Sequence, residues 1–430
     1  AIDGVMHAKY NVIATPDMNP DEGSQQIVED PADLLVSPFG WHDINGIAGP
    51  EFTDTRGNNV LVETGDLGDP PNPTGIRADG GVDLAFLDIF DPELEHDVLQ
   101  NQLSSTVQAF FTINQMHDIT ARYGFDEAAG NFQTTNYTGT GVAGDALLVN
   151  VDDPDVICDA FVDINPPGFT ALGGAGDGVD VEITLGYCDI PPLPPLPLPP
   201  LNPVVPGRDS GMENFVLIHE FGHALTARLI GGPSYMQGYG LDTQIGAIHE
   251  GNSDYLALIS GMKATDDPAD VNDASEWFTD NQVARRQPYS YDFDVDGRTY
   301  EDWNTLIDPD TLLLNVEPHQ AGEIWASMLY DMTWELIFKY GGARDGSAME
   351  IAFNEDLSQA VGRTNSAGAD NLFAPTTLTS MLGPNLLDLT TGANNLAMQL
   401  FIDGMKYTSP NPSFTDARDA ILAADQALTG

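Results

Sequence analysis

An α+β chain, strand-rich in its N-terminal half and helical in its C-terminal half, is predicted on three observations. Up to about Asp209 the sequence is dense in Gly, Pro and Asp between short apolar runs, the texture of strands and turns. One long helical pattern, Leu99 to Tyr123, interrupts that half. Beyond Asp209 apolar residues recur at helical spacing over long stretches. With 430 residues the chain exceeds what one core usually holds, so two domains are expected, residues 1–209 and 210–430.

The elements follow in order. The helix over 99–123 stops at Gly124, which suits a left-handed C-terminal cap. The run PPLPPLPLPPLNP, residues 191–203, cannot be helix or central strand and is read as an extended polyproline loop on the surface. A helix over Ser210–Ile230 is signalled by a Ser-x-x-Glu capping box (Ser210, Glu213) and by Gly231, Gly232 and Pro233 at its end. Further helices are expected over Ala247–Ser260, Gln320–Tyr340, Asn394–Lys406 and Thr415–Leu428.

The charge balance narrows the function. Against 15 Lys and Arg stand 66 Asp and Glu, a formal net of −51. Nucleic acid and anionic membranes are recognised by clustered Lys and Arg, so neither is an expected partner. The acidic residues are read as a solvated shell suited to a saline habitat. No uninterrupted apolar run reaches the roughly 20 residues a membrane helix needs, so a soluble chain is expected. It starts at Ala1 without a leader-like segment, which suggests that any leader or propeptide has been removed. Cys158 and Cys188 are the cysteines; in an exported protein they would close a disulfide, and two free thiols are the alternative.

Chemistry centres on HEFGH, in which His219 and His223 stand four residues apart. One helical turn separates them, so both imidazoles project from one face and can share a Zn²⁺. Glu220, rotated by about 100° from His219, would stand beside the metal as general base rather than as a ligand. Phe215, Val216, Leu217, Ile218, Leu225 and Leu229 make the helix apolar on nearly all sides and therefore buried. Two His and a Glu on such a helix require a strong partner. A third protein ligand is needed as well. The HExxHxxGxxH solution is excluded, because its Gly and His positions hold Thr226 and Leu229. The other takes a Glu from a following helix, and HEGNSDYLALIS supplies Glu250 with Asp254 one turn later. Asp254 would accept a hydrogen bond from a ligand histidine and orient it. His249 competes with Glu250, but its adjacent position points it elsewhere.

These residues, with DPADLLVSPFGWHD, TRGNN, MHDITARYGFDEAAGNFQ, HEFGHALTARLIGGP, GAIHEGNSDYLAL, RRQPYS, GEIWASMLYDMTWEL, NNLAMQLFIDGMK and DARDAILAADQALTG, resemble the fungalysin family of zinc metallopeptidases. The resemblance covers essentially the whole chain. It implies a thermolysin-like two-domain fold with the zinc helix in the cleft between the halves, and an extracellular, monomeric zinc endopeptidase processed from its own propeptide. It further implies zinc ligands His219, His223 and Glu250, catalytic base Glu220, and Asp254 behind a ligand histidine. His319, in PHQAGEIW, is similar in context to the histidine that stabilises the oxyanion, although a plain helix N-terminal histidine is the alternative. Tyr239 is a second candidate for that task. Ala160 and Phe161 fall about where such enzymes offer an edge strand to substrate backbone. Arg285 and Arg286 are candidates to hold a substrate carbonyl, with surface ion pairs as the alternative. The polyproline run looks like an insertion beside the cleft.

Two other function classes stay open on sequence alone: a zinc aminopeptidase, and a non-catalytic zinc-stabilised binding protein. Calcium is a second candidate metal, because DFDVDG (Asp292, Asp294, Asp296, Gly297) begins like a calcium loop. An EF-hand is rejected, since its twelfth position holds Trp303 instead of Glu.

Overall fold

The structure is a computed structural model. It describes residues 7–65, 75–164, 176–189, 206–240, 243–279, 284–306, 318–340, 353–354, 356–358 and 392–429. The polyproline run lies outside the described residues.

Strands and one helix build the N-terminal half. Strand β1 (Lys9–Val12) lies between β2 (Gln26–Glu29), antiparallel, and the short β4 (Ala85–Phe86), parallel. A second sheet has the order β3 (Val60–Thr64), β5 (Leu147–Val151), β7 (Glu182–Leu185), β6 (Ala160–Asp163). Its first three strands are parallel, and β6 runs antiparallel along the edge. Strands β3 and β5 are buried at nearly every position, and helix α1 (Leu99–Arg122) packs against both. Helix α1 is buried along almost its whole length and stops where Gly124 takes φ 106°. A two-residue ladder, β8 (Tyr187–Cys188) against β9 (Arg208–Asp209), then leads into the second half.

That half is helical: α2 (Asn214–Leu229), α3 (Gln244–Gly261), α4 (Pro318–Tyr340), α5 (Ala393–Tyr407) and α6 (Phe414–Thr429). Each overlaps an expected helix, with ends shifted by a few residues. The start of α2 departs from expectation. Ser210–Met212 form a separate 3₁₀ turn, and Glu213 flanks α2 without capping it through its side chain. The capping box fails because both of its side chains are engaged elsewhere. The Ser210 hydroxyl donates to the Gly186 carbonyl at 2.8 Å, and the Glu213 carboxylate accepts from Phe278 N at 2.6 Å.

Helix α2 joins the halves. At its first residue, Asn214 Nδ2 donates to the carbonyls of Ile13 and Asp17, both at 2.9 Å, while its Oδ1 accepts from Gln108 and Thr112 on α1. Near its last turn the fully buried Arg228 donates to Asp145 Oδ2 at 2.8 Å and to Gly130 O at 3.0 Å, and lies over the Phe132 ring. A buried guanidinium is tolerated because it is paired and hydrogen-bonded.

Candidate active site

The site is built where three helices press together. Gly222, inside HEFGH, makes the first contact possible, since a Cβ there would come within 2.7 Å of Ser253 Cα on α3. Gly322 on α4 makes the second, since its Cβ would lie 2.4 Å from Glu250 Cβ. Backbone-close packing therefore carries the Glu250 turn of α3 onto the histidine face of α2.

There, His219 Nε2 lies 3.1 Å from His223 Nε2 and 3.5 Å from Glu250 Oε2, and His223 Nε2 lies 3.6 Å from Glu250 Oε1. All three residues are buried. Among the described residues this is the group of three ligand-type side chains close enough to hold a metal ion. Ligands about 2.0–2.1 Å from a tetrahedral zinc stand about 3.4 Å apart, so the spacing fits that ion. The donor set, two imidazoles and a carboxylate, also fits it. Glu220 adds a further sign of an absent partner: it is buried, and its Oε2 has no hydrogen-bond partner.

The surroundings fix the donors. His219 Nδ1–H donates to Asp254 Oδ1 at 2.7 Å, which leaves the Nε2 lone pair facing the triad. Asp254 is fully buried and also receives Arg285 Nε at 2.7 Å, Arg285 Nη2 at 2.8 Å and the Tyr289 hydroxyl. Burial opposes its charge, but Arg285 and then His219 outweigh that and hold the carboxyl far below its ordinary range. Arg285 Nη2 reaches Glu250 Oε2 at 3.3 Å, and the Tyr239 hydroxyl donates to Glu250 Oε1. Burial, then the charges of Glu250 and Asp159, push Glu220 well above the usual carboxyl value. His223 is pushed the other way by burial and by the neighbouring histidines His219, His249 and His319.

Each predicted residue has a definite place. His319 opens α4 half-exposed, with Nε2 3.5 Å from Glu250 Oε1. His249 is fully buried and stacks on His223 at 5.7 Å between centroids, so it stands behind the triad. Ala160 lies on edge strand β6 and lines a cavity of about 410 Å³, together with Cys158, Asp159, Cys188, Phe215, Val216, His219, Glu220, Phe278, Arg285 and His319. Phe161, next along β6, is 38% exposed and does not line it. Arg286 is exposed and also lies off the lining, while its backbone N–H donates to the buried Glu323 at 2.6 Å. Cys158 and Cys188 are joined in a disulfide on the cavity wall. Asp292, Asp294 and Asp296 form no convergent ligand set: Asp292 Oδ1 receives Asp294 N, and Asp296 Oδ2 receives the Ser327 hydroxyl. Sequence reasoning passed over Tyr289 and the pairing of Arg285 with Asp254. Both join residues more than thirty positions apart, beyond any local pattern. The signal available for Gly222 was its place inside HEFGH.

A strand-rich half, a helical half and a zinc-type HExxH site in a cleft are together the features of a thermolysin-like metallopeptidase. The model of the fungalysin metallopeptidase (M36) family matches residues 9–430, and the chain belongs to that family. Its enzymes depend on zinc, in keeping with the triad. The chain is similar to extracellular metalloproteinase 10 of Coccidioides posadasii, at 31% identity over 431 residues. It is also 31% identical over 437 residues to an extracellular metalloproteinase of Pyrenophora tritici-repentis, and 28% identical over 431 residues to extracellular metalloproteinase 2 of Trichophyton tonsurans. In each case the whole chain is covered, but only 55–57% of the relative. The chain thus spans little more than half the length of these relatives.

Proposed function

We propose that this chain is an extracellular zinc endopeptidase that hydrolyses internal peptide bonds of proteins and peptides, with His219, His223 and Glu250 as metal ligands and Glu220 as general base. One observation carries the reading: a buried glutamate with an unpartnered oxygen beside a convergent His, His, Glu triad. A non-catalytic zinc-stabilised protein would need the triad but not Glu220. The names of the relatives support an exported protease over an aminopeptidase. The reading includes a propeptide partner before maturation, a monomeric enzyme, and a division into residues 1–209 and 210–430 about the cleft.

Zinc, when bound by the triad, supplies Lewis acidity that polarises a peptide carbonyl and acidifies water. The side chains do the rest. Asp254 holds His219 with Nε2 turned inward. Glu220, its proton affinity raised by burial, accepts a proton from water at Oε2 and returns it to the leaving nitrogen. His319 stands at Glu250 on the cavity lining, where its Nε2–H can donate to the carbonyl oxygen as it gains charge, whereas the Tyr239 hydroxyl donates to Glu250 and lies off the lining. Ala160 on the edge strand offers backbone groups to an extended substrate.

Glu220→Gln tests the reading. The amide fills the same volume but cannot take a proton, so the variant should keep one zinc per chain and lose on the order of 10²–10⁴-fold in casein turnover. Near wild-type digestion by a zinc-loaded variant would overturn the assignment.

A further inference from the structure

We propose that Asp159 is a specificity-determining residue that selects substrates carrying a lysine or arginine side chain beside the cleaved bond. The proposal rests on the peptidase reading above and adds the chemical class of side chain that the cleft prefers.

Among the described residues, Asp159 and Glu220 are the carboxylates lining the cavity. They differ in access. Glu220 is buried, whereas Asp159 is exposed. Asp159 shares the cavity lining with His219, Glu220 and His319; partial burial raises its carboxyl from the ordinary value, while the Ala160 N–H and His319 pull it back down. The cation on the same lining, Arg285, is already committed to Asp254 and Glu250. A substrate therefore meets at Asp159 an exposed carboxylate that no arginine or lysine of the lining pairs, with the half-exposed His319 as its imidazole neighbour.

Asp159 is also held in place. The disulfide-bonded Cys158 precedes it and donates its N–H to Tyr187 O at 2.8 Å. Edge strand β6 follows it, and Ala160 N donates to Asp159 Oδ1 at 2.9 Å. Its carbonyl accepts from Gly186 N at 3.2 Å. A carboxylate on so braced a backbone presents a fixed charge and not a roaming one. The rest of the lining matters as much. Phe215, Val216, Phe278 and the disulfide form an apolar wall within the same cavity. Lysine and arginine combine an apolar stem with a cationic head, and stem on wall with head at Asp159 uses both surfaces. An acidic side chain would meet repulsion, and a neutral aliphatic one would gain the wall alone.

The test uses N-acetylated, C-amidated quenched peptides that differ only at the residue flanking the cleaved bond: Lys, Met or Glu. Blocked ends leave the flanking side chain as the sole cation. Wild-type enzyme should cleave the Lys peptide about tenfold more efficiently than the Met peptide, with Glu poorest. Asp159→Asn should cut kcat/KM for Lys by about tenfold and leave Met nearly unchanged. Asp159→Lys should favour Glu over Lys. Glu93→Gln, an exposed charge outside the cleft lining, is the control for the overall field and should change no ratio. Binding of the same peptides to Glu220→Gln, followed by fluorescence anisotropy, should show the same order without turnover. Cleavage of all three peptides at one rate, an equal loss on all three in Asp159→Asn, or the same change in Glu93→Gln would overturn the proposal while leaving the peptidase reading intact. Failure of wild-type enzyme to cut any of the three peptides would overturn both.

Discussion

Asp254 sets the electrostatic order of the site from one turn away. It gathers His219, two nitrogens of Arg285 and the Tyr289 hydroxyl, and it is fully buried. A neutral amide in its place would lose the charge that pairs Arg285 and would present an N–H to one of its donors, leaving buried groups unpaired. Asp254→Asn should therefore weaken zinc binding by about 10–100-fold, measured by competition with a chromogenic chelator. An unchanged affinity would remove Asp254 from the site's support. At this scale the legible part was what a single helix encodes: His219 and His223 on one face with Glu220 beside them, and Glu250 and Asp254 a turn apart. Arg285 and Tyr289 carry no such spacing. They reach Asp254 only because the chain returns to it after a long excursion.

The start of α2 shows the same limit for an element. Ser210 and Glu213 have the spacing of a capping box, yet Glu213 is turned into the protein to meet Phe278 N. Tertiary contact overrode a local signal. Burial pushes the Glu213 carboxyl up to about 8 from its ordinary 4.5. Between those values the unfolded chain has lost this proton and the folded chain keeps it. Folding then takes up a proton, so stability falls as pH rises from about 4.5 to about 8. The effect should be on the order of a few kcal/mol, read as a falling urea midpoint. Glu213→Gln mimics the protonated form and should flatten that part of the profile. A slope unchanged in the variant would place its origin in another group. By contrast the ends of α1 and α2 were readable, because Gly124, Gly231 and Gly232 take φ of 106°, 86° and 87° as left-handed caps require.

For the whole molecule the net charge of −51 is the dominant fact legible without a fold. Carboxylates confined to one compact surface repel more than along an unfolded chain, and salt relieves the folded state more. The unfolding temperature should rise as NaCl is increased from about 0.1 M to about 1 M, over which the screening length falls from about 10 Å to about 3 Å. A flat or falling curve by differential scanning calorimetry would show that repulsion is not limiting. The division into a strand-rich and a helical half was legible from residue texture. The attachment between them was not, since it rests on single buried side chains such as Asn214 and Arg228. That attachment has a mechanical consequence. Both ends of α2 are riveted to the N-terminal half, and its middle is pressed on α3 at Gly222. A swing of one half away from the other would have to break these buried hydrogen bonds together. On the peptidase reading, a slot whose wall is held at both ends in this way leaves the burden of fitting to the incoming polypeptide. On that reading loosely folded or unravelled segments thread it, while a well-packed domain must first fray.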